Sequence, residues 1–167
     1  CFASNVARLK TIFQAASANG RAVALVGRSL WRINAAARET GYLTDLPEFL
    51  EPEKMAAMDD SEILYICTGS QGEPRAALTR IAADDHRSVK LGEGDTVIFS
   101  SRIIPGNELA IGRLHNSLIR QGADVISEND EDIHVSGHPA RGELTEMYQL
   151  VRPQILIPVH GEQRHLK

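Results

Sequence analysis

The sequence predicts an α/β fold: a mostly parallel, open sheet with helices on both faces. Short apolar runs alternate along the chain with longer segments in which apolar residues recur at the spacing of one helix face. A connection long enough to hold a helix makes the strands on either side of it parallel. The repeated strand–helix order therefore favours a single parallel α/β domain over residues 1–167.

The first part of the chain supplies two helices and one strand. A helix is predicted from Asn5 to Asn19, because apolar residues line one of its faces and Gly20 can end it. The apolar run 22–26 predicts a strand, and Ser29 can cap the helix that follows. These elements are followed by a predicted helix at 30–40 and by an irregular surface connection at 41–61.

The middle of the chain repeats the strand–helix order. A buried strand is predicted at 63–67, and Pro74 suits the first turn of a helix that runs through Ala83. Asn107 begins the next predicted helix, and Gly122 ends it. Two further predicted strands, 96–101 and 123–127, flank that helix.

The stretch from Ile133 to Glu162 predicts a strand, a helix and a second strand. Its two apolar runs end near His138 and His160, each beside a glycine. Because these strands would be parallel neighbours, both histidines would lie at carboxyl ends on one edge of the sheet. A single histidine is more often a capping or core residue, but two at matching strand ends favour ligand binding or catalysis.

Small, polar or basic residues follow five of the predicted strands, and parallel topology places them on that same edge. Helix N-termini add partial positive charge there, so a phosphate chain is a natural ligand. Turn geometry alone explains the glycines and serines of most of these loops, but it explains Arg28 and the histidine pair less well. The candidate phosphate-binding residues in the first three loops are Arg28, Ser29, Gly69, Ser70, Ser100 and Ser101.

Composition limits the alternatives. The 167 residues are 43% hydrophobic and 24% charged, as in ordinary globular domains, and no apolar run approaches the roughly 18 residues of a membrane span. The net charge of −4 argues against nucleic-acid binding driven by bulk charge, so any contact with a polyanion must be local. Two cysteines, Cys1 and Cys67, exclude a disulfide framework, and we expect a cytoplasmic protein without membrane partners.

The predicted strand after Ile133 would place His134, Ser136 and His138 on one face. Hydrolytic zinc sites need three or more clustered ligands, often in spacings such as H-x-H or H-E-x-x-H. Acidic residues do not cluster in sequence around His138 or His160. We therefore expect no complete catalytic metal site in this chain alone.

Five motifs in order resemble the bacterial ribonuclease J family, of the β-CASP branch of metallo-β-lactamase-fold nucleases. The resemblance spans essentially the whole chain with its spacing kept. The motifs are C-F-A-S-N at 1–5, C-T-G-S-Q-G-E-P at 67–74, S-S-x-I-x-P-G-N-E at 100–108, H-V-S-G-H at 134–138 and P-V-H-G-E at 158–162.

The resemblance implies a Rossmann-like β-CASP domain that closes over single-stranded RNA, with about 152–167 leading back toward a metallo-β-lactamase domain. It implies that His138 contacts the scissile phosphate and is a candidate general acid, which suits imidazole chemistry near neutral pH. It makes His160 a ligand of one of two divalent metal ions, zinc or manganese. It also implies that the loop Ser136-Gly137 holds a nucleotide phosphate, and we expect His134 to take part in binding RNA or phosphate.

The family's remaining metal-binding motifs are absent from the sequence, which begins at Cys1 rather than Met and which we expect to be part of a longer chain. We therefore expect this part alone to hold no complete metal pair and to be inactive. We expect the full-length protein to hydrolyse RNA as a 5′–3′ exonuclease and endonuclease, to prefer a 5′-monophosphate and to have no membrane partner, and we leave homo-oligomers open. The alternatives are a non-catalytic nucleotide- or phosphate-binding module and a fragment that serves subunit contact.

Overall fold

The computed structural model describes residues 1–135, 137–158, 161 and 163. The chain divides into two compact units, Cys1–Val135 and Ser136–Lys167. The first unit contains all the strands of the described residues and four helices, and the second contains one helix.

Parallel pairs of strands form the centre of the first unit. Strand β1 (Ala22–Val26) pairs with β2 (Ile63–Cys67), with Ala22 opposite Ile63 and Val26 opposite Cys67. On its other side β1 exchanges backbone hydrogen bonds with Leu50, so its backbone is paired on both edges. Strand β3 (Thr96–Ile98) pairs in the same way with β4 (Asp124–Ile126).

The parallel α/β prediction is confirmed, but the described strands form two two-stranded sheets and not one continuous sheet. The predicted strand at 96–101 ends at Ile98, because the following residues turn and Ser101 donates its N–H to the Phe99 carbonyl. Side chains join the two sheets where backbone hydrogen bonds do not. Cys67 of β2 and Val97 of β3 both pack on a buried cluster of Leu78, Ala82, Phe99, Leu114 and Leu118.

Most predicted helices are present, with shifted ends. The Asn5 side chain accepts the Arg8 N–H at 3.0 Å, as expected for a cap. The second helix starts at Arg28, because Gly27 makes the turn with φ of 131°; the prediction that Ser29 caps it is wrong. Pro74 lies before its helix and not in the first turn. The helices of this unit are α1 (Val6–Ala18), α2 (Arg28–Glu39), α3 (Ala77–Ala82) and α4 (Glu108–Arg120).

The irregular segment 41–61 contributes to the core, whereas a surface connection was expected. Phe49 is buried, and its ring meets that of Phe13 edge to face with 5.1 Å between centroids. Leu43 and Met55 are also buried. The segment therefore lies beside β1 through Leu50 and the 3₁₀ turn Pro52–Met55, and a second 3₁₀ turn spans Asp60–Glu62.

The second unit confirms the predicted helix and corrects the predicted strands beside it. Helix α5 spans Arg141–Val151, and the Glu143 carboxylate accepts the Ala140 N–H at 2.6 Å. Residues 133–135, 137–138 and 155–158 form no strand in the described part of the chain. A strand needs a neighbour to complete its backbone hydrogen bonds, which apolar patterning alone does not supply. None of the helices in the described ranges has the length and apolar composition that a membrane crossing requires.

We expect opposite effects on stability when alanine replaces two glycines, one in the loop after β2 that contacts helix α4 and one within α4 itself. Gly72 has φ of 76°, and an added Cβ would lie 2.9 Å from the Ala110 carbonyl carbon. We expect Gly72→Ala to lower the free energy of unfolding by about 2 kcal/mol or more, through strain and overpacking. Gly112 is an exposed residue within α4, and an added Cβ there would meet open space. Gly112→Ala should therefore raise the free energy of unfolding by about 0.5–1 kcal/mol.

Urea unfolding of both variants measures these changes. Equal stability of Gly72→Ala and the wild type would contradict the described packing of this loop on α4.

Candidate functional site

The carboxyl edge of the β1–β2 sheet brings two of the predicted ligand loops together. The Thr68 N–H donates to the Val26 carbonyl at 3.2 Å, so the loop after β2 begins beside the loop after β1. A Cβ at Gly27 would lie 2.7 Å from the Thr68 hydroxyl oxygen, so this close approach requires glycine. Arg28 and Ser29, both exposed, follow directly at the start of α2.

Some backbone N–H groups of the loop 68–74 donate hydrogen bonds to acceptors within the loop itself. The Glu73 carboxylate accepts the Gln71 N–H at 2.9 Å, and Gly72 donates to the Gly69 carbonyl at 3.1 Å. Ser70 is buried, and Gly69 lies against Ala76. The protein's own carboxylate therefore already lies at this loop, where an external anion was expected. The assignment of Gly69 and Ser70 to phosphate binding stays a prediction.

Gln71 joins the loop after β2 to the loop after β3. Its buried side-chain amide donates to the Arg102 carbonyl at 2.9 Å and accepts the Ile104 N–H at 3.0 Å. The same amide oxygen accepts the Asn107 side-chain N–H at 3.2 Å. Sequence reasoning missed this residue, because a glutamine in a glycine-rich loop looks like any exposed turn residue.

Ser100 and Arg8 anchor the segment that leads to His134. The Ser100 hydroxyl donates to the Ile133 carbonyl at 2.9 Å, and the Arg8 guanidinium donates to the same carbonyl at 2.8 Å. Arg8 also donates to the Ser100 hydroxyl oxygen at 2.5 Å. Ser101 is buried. Ser100 is thus occupied by contacts within the protein, and its predicted role with Ser101 in phosphate binding stays a prediction.

His134 is partly buried beside this anchor, and its Nδ1 atom has no hydrogen-bond partner among the described residues. Burial lowers the pKa of its imidazole, the Arg8 charge lowers it further, and Glu128 partly opposes both. The neutral ring is therefore favoured near neutral pH, with one nitrogen available as an acceptor.

The second unit carries the other predicted residues. Gly137 and His138 are exposed. Ser136 and His160 lie outside the described residues. Accordingly, the prediction that His138 and His160 share one rim stays a prediction. Within the described part of the chain, no three histidine, cysteine, aspartate or glutamate side chains form a group suited to a metal ion.

Arginines line a cleft of about 850 Å³ at the carboxyl edge of β1 and β2, which we name the arginine cleft. Arg28 and Ser29 were predicted here from their position after β1. The remaining basic side chains arrive from α2, from the loop before α3, from α3 itself and from the loop after α3, and the strand-end pattern gave no signal for them. They are Arg32, Arg75, Arg80, His86 and Arg87, with Trp31, Thr68, Glu51 and Glu53 also on the walls.

His86 on the wall of this cleft is held by backbone contacts. Its Nδ1 atom accepts the Ser88 N–H at 3.3 Å and the Val89 N–H at 3.2 Å. Burial lowers the pKa of the His86 imidazole, and the neighbouring Arg80 lowers it further. The neutral ring therefore carries its proton on Nε2, so the charge of this cleft comes from its arginines.

Comparison with known proteins agrees with this architecture. Residues 1–118 match the family model described as "Ribonuclease J, beta-CASP domain". The chain belongs to the ribonuclease J family. Residues 125–167 match a second model, described as "Zn-dependent metallo-hydrolase RNA specificity domain". The predicted family is therefore confirmed.

Curated relatives named ribonuclease J are much longer than this chain. Ribonuclease J of Sinorhizobium meliloti is 49% identical over 99% of the chain, which covers 29% of that relative. Ribonuclease J of Mycolicibacterium smegmatis is 46% identical over 100% of the chain, and Ribonuclease J 1 of Streptococcus pyogenes is 45% identical over 99%. The chain covers 30% of each of these two relatives.

The three hydrogen bonds of Gln71 predict that its amide is needed for the two loops to stay joined. We expect Gln71→Ala to lower the free energy of unfolding by about 1–3 kcal/mol, because it leaves partly buried backbone groups unpaired. Gln71→Met, which keeps the volume, should cost nearly as much. Gln149→Ala, an exposed change on α5, should cost less than about 0.5 kcal/mol.

Chemical denaturation of the three variants gives these values. A Gln71→Met variant as stable as the wild type would show that packing, and not hydrogen bonding, joins the loops.

Proposed function

We propose that this chain is the RNA-holding part of a metal-dependent ribonuclease that hydrolyses phosphodiester bonds of single-stranded RNA in the cytoplasm. The observation that carries the proposal is a match over 99–100% of the chain to proteins named ribonuclease J. The arginine cleft agrees with it, because an acidic chain needs a local basic surface to hold a polyanion.

In the full-length protein, His138 contacts the scissile phosphate and donates a proton to the leaving oxygen. Ser136, Gly137 and His134 hold a nucleotide phosphate, and His160 is a ligand of one of two zinc or manganese ions. The two metal ions, when bound, activate water and stabilise the charge that develops on the phosphate. Residues of about 152–167 lead toward the metallo-β-lactamase domain, which supplies the remaining metal ligands.

The substrate of this proposal is single-stranded RNA with a 5′-monophosphate. Cleavage proceeds from the 5′ end of the RNA and also at internal positions of the RNA, and each hydrolysis gives a 5′-phosphate product.

Replacement of the two histidines separates their roles in the full-length protein. His138→Ala should lower the cleavage rate by at least about a hundredfold with metal content and thermal stability unchanged, because general acid catalysis contributes about 10²–10⁴-fold. His160→Ala should lower both the cleavage rate and the metal content. Turnover of a 5′-monophosphorylated oligoribonucleotide and metal analysis by mass spectrometry provide the readouts. Normal turnover in both variants would refute the assignments.

A second candidate function is a non-catalytic nucleotide-binding module. The observation that favours it is the arginine cleft, whose lining residues all lie between 25 and 87 and whose volume falls within the range of small-molecule sites. Tight binding of a mononucleotide, together with indifference to RNA, would support this candidate over the ribonuclease.

A further inference from the structure

The arginine cleft concentrates positive charge on a chain that is acidic overall. Five arginines and two glutamates line it, whereas the whole chain has a net charge of −4. The cleft therefore differs in sign from the average surface of the protein. Like charges brought together in this way repel one another unless an anion lies between them.

Two of the five arginines already have acidic partners. Arg80 contacts the Asp85 carboxylate at 3.3 Å, and Arg87 contacts the Glu53 carboxylate at 2.7 Å. These pairs hold the loop after α3 in place beside the cleft.

The other three arginines have no such partner. Within the part of the chain that the structure describes, no hydrogen bond or ion pair engages the guanidinium groups of Arg28, Arg32 or Arg75. Arg28 and Arg32 are four residues apart in α2 and therefore lie on the same face of that helix, where like charges destabilise it. A guanidinium group has the planar fork that binds phosphate oxygens in pairs. All three guanidinium groups of this cleft are therefore available to bind phosphate.

An aromatic ring lines the same cleft. The Trp31 indole N–H donates to the Leu25 carbonyl at 3.1 Å, and the ring packs against the buried cluster beneath α2. These contacts fix the ring at the wall of the cleft. Aromatic side chains beside a basic groove are the combination that binds single-stranded nucleic acid, because bases stack while arginines contact phosphates.

We propose that the arginine cleft binds the phosphate backbone of single-stranded RNA, with Arg28, Arg32 and Arg75 contacting phosphates and Trp31 stacking on a base. This inference rests on the proposed function and adds a defined contact surface to it. RNA is favoured over a mononucleotide because three unpaired arginines from two segments line an open cleft, an arrangement suited to several phosphates along a strand.

Binding of a 2′-O-methylated single-stranded oligoribonucleotide with a 3′-fluorescein to the full-length protein tests this proposal. In fluorescence anisotropy, Arg32→Gln and Arg75→Gln should each weaken binding by about fivefold or more. Each should also make the plot of log affinity against log salt shallower by about 0.7, the value for one lost phosphate contact on a single strand. Arg113→Gln, an exposed arginine of α4 outside the cleft, makes the same change in charge and should alter neither value.

The outcomes separate this inference from the proposed function. If Arg32→Gln and Arg75→Gln bind RNA as tightly as Arg113→Gln does, and the protein still cleaves RNA through His138, the inference alone is overturned. Failure of the wild type to bind or cleave RNA would overturn both. Weakened binding of adenosine diphosphate in the two variants, with unchanged binding of the oligoribonucleotide, would assign the cleft to a mononucleotide and overturn the inference. Equal thermal unfolding midpoints exclude misfolding as the cause.

Discussion

The parallel pairing of β1 with β2 determines where the arginine cleft lies. Its register sets Val26 beside Cys67, so the chain leaves both strands at the same edge. The close approach of Gly27 to Thr68 then brings the start of α2 against the loop after β2. A one-residue slip in this register would exchange the side chains that β1 presents to its two buried faces and would shift these loops relative to each other. The position of Arg28 is therefore a consequence of backbone pairing and of one glycine.

Hydrogen bonds within the protein stabilise the rest of this edge. Gln71 holds the loop after β3, while Ser100 and Arg8 hold the segment at Ile133. Gln71 and Ser100 lie in motifs that also suggest ligand binding, yet their described contacts are to the protein itself. Long, exposed arginines are better suited to reach a polyanion, and the buried polar groups keep the loops beneath them in place.

The sequence predicted the elements whose signals are local. Apolar periodicity and caps gave α1, β1, β2 and α4 nearly at their observed bounds. The same reasoning placed strands around 133–138 and 155–160, where the described residues have none, because strand formation also depends on a neighbour. Arg75 and Arg87 come to the cleft only through tertiary folding, so no spacing revealed them. The five motifs identified the family, whereas the predicted metal ligand His160 lies outside the described residues.

The central claim is that RNA is held at the carboxyl edge of β1 and β2. Photocrosslinking of the full-length protein to single-stranded RNA that contains 4-thiouridine tests it most directly, with crosslinked peptides identified by mass spectrometry. We expect crosslinks within 27–32 and 68–80 that unlabelled RNA competes away. Competable crosslinks confined to other segments, such as the outer face of α4, would contradict it.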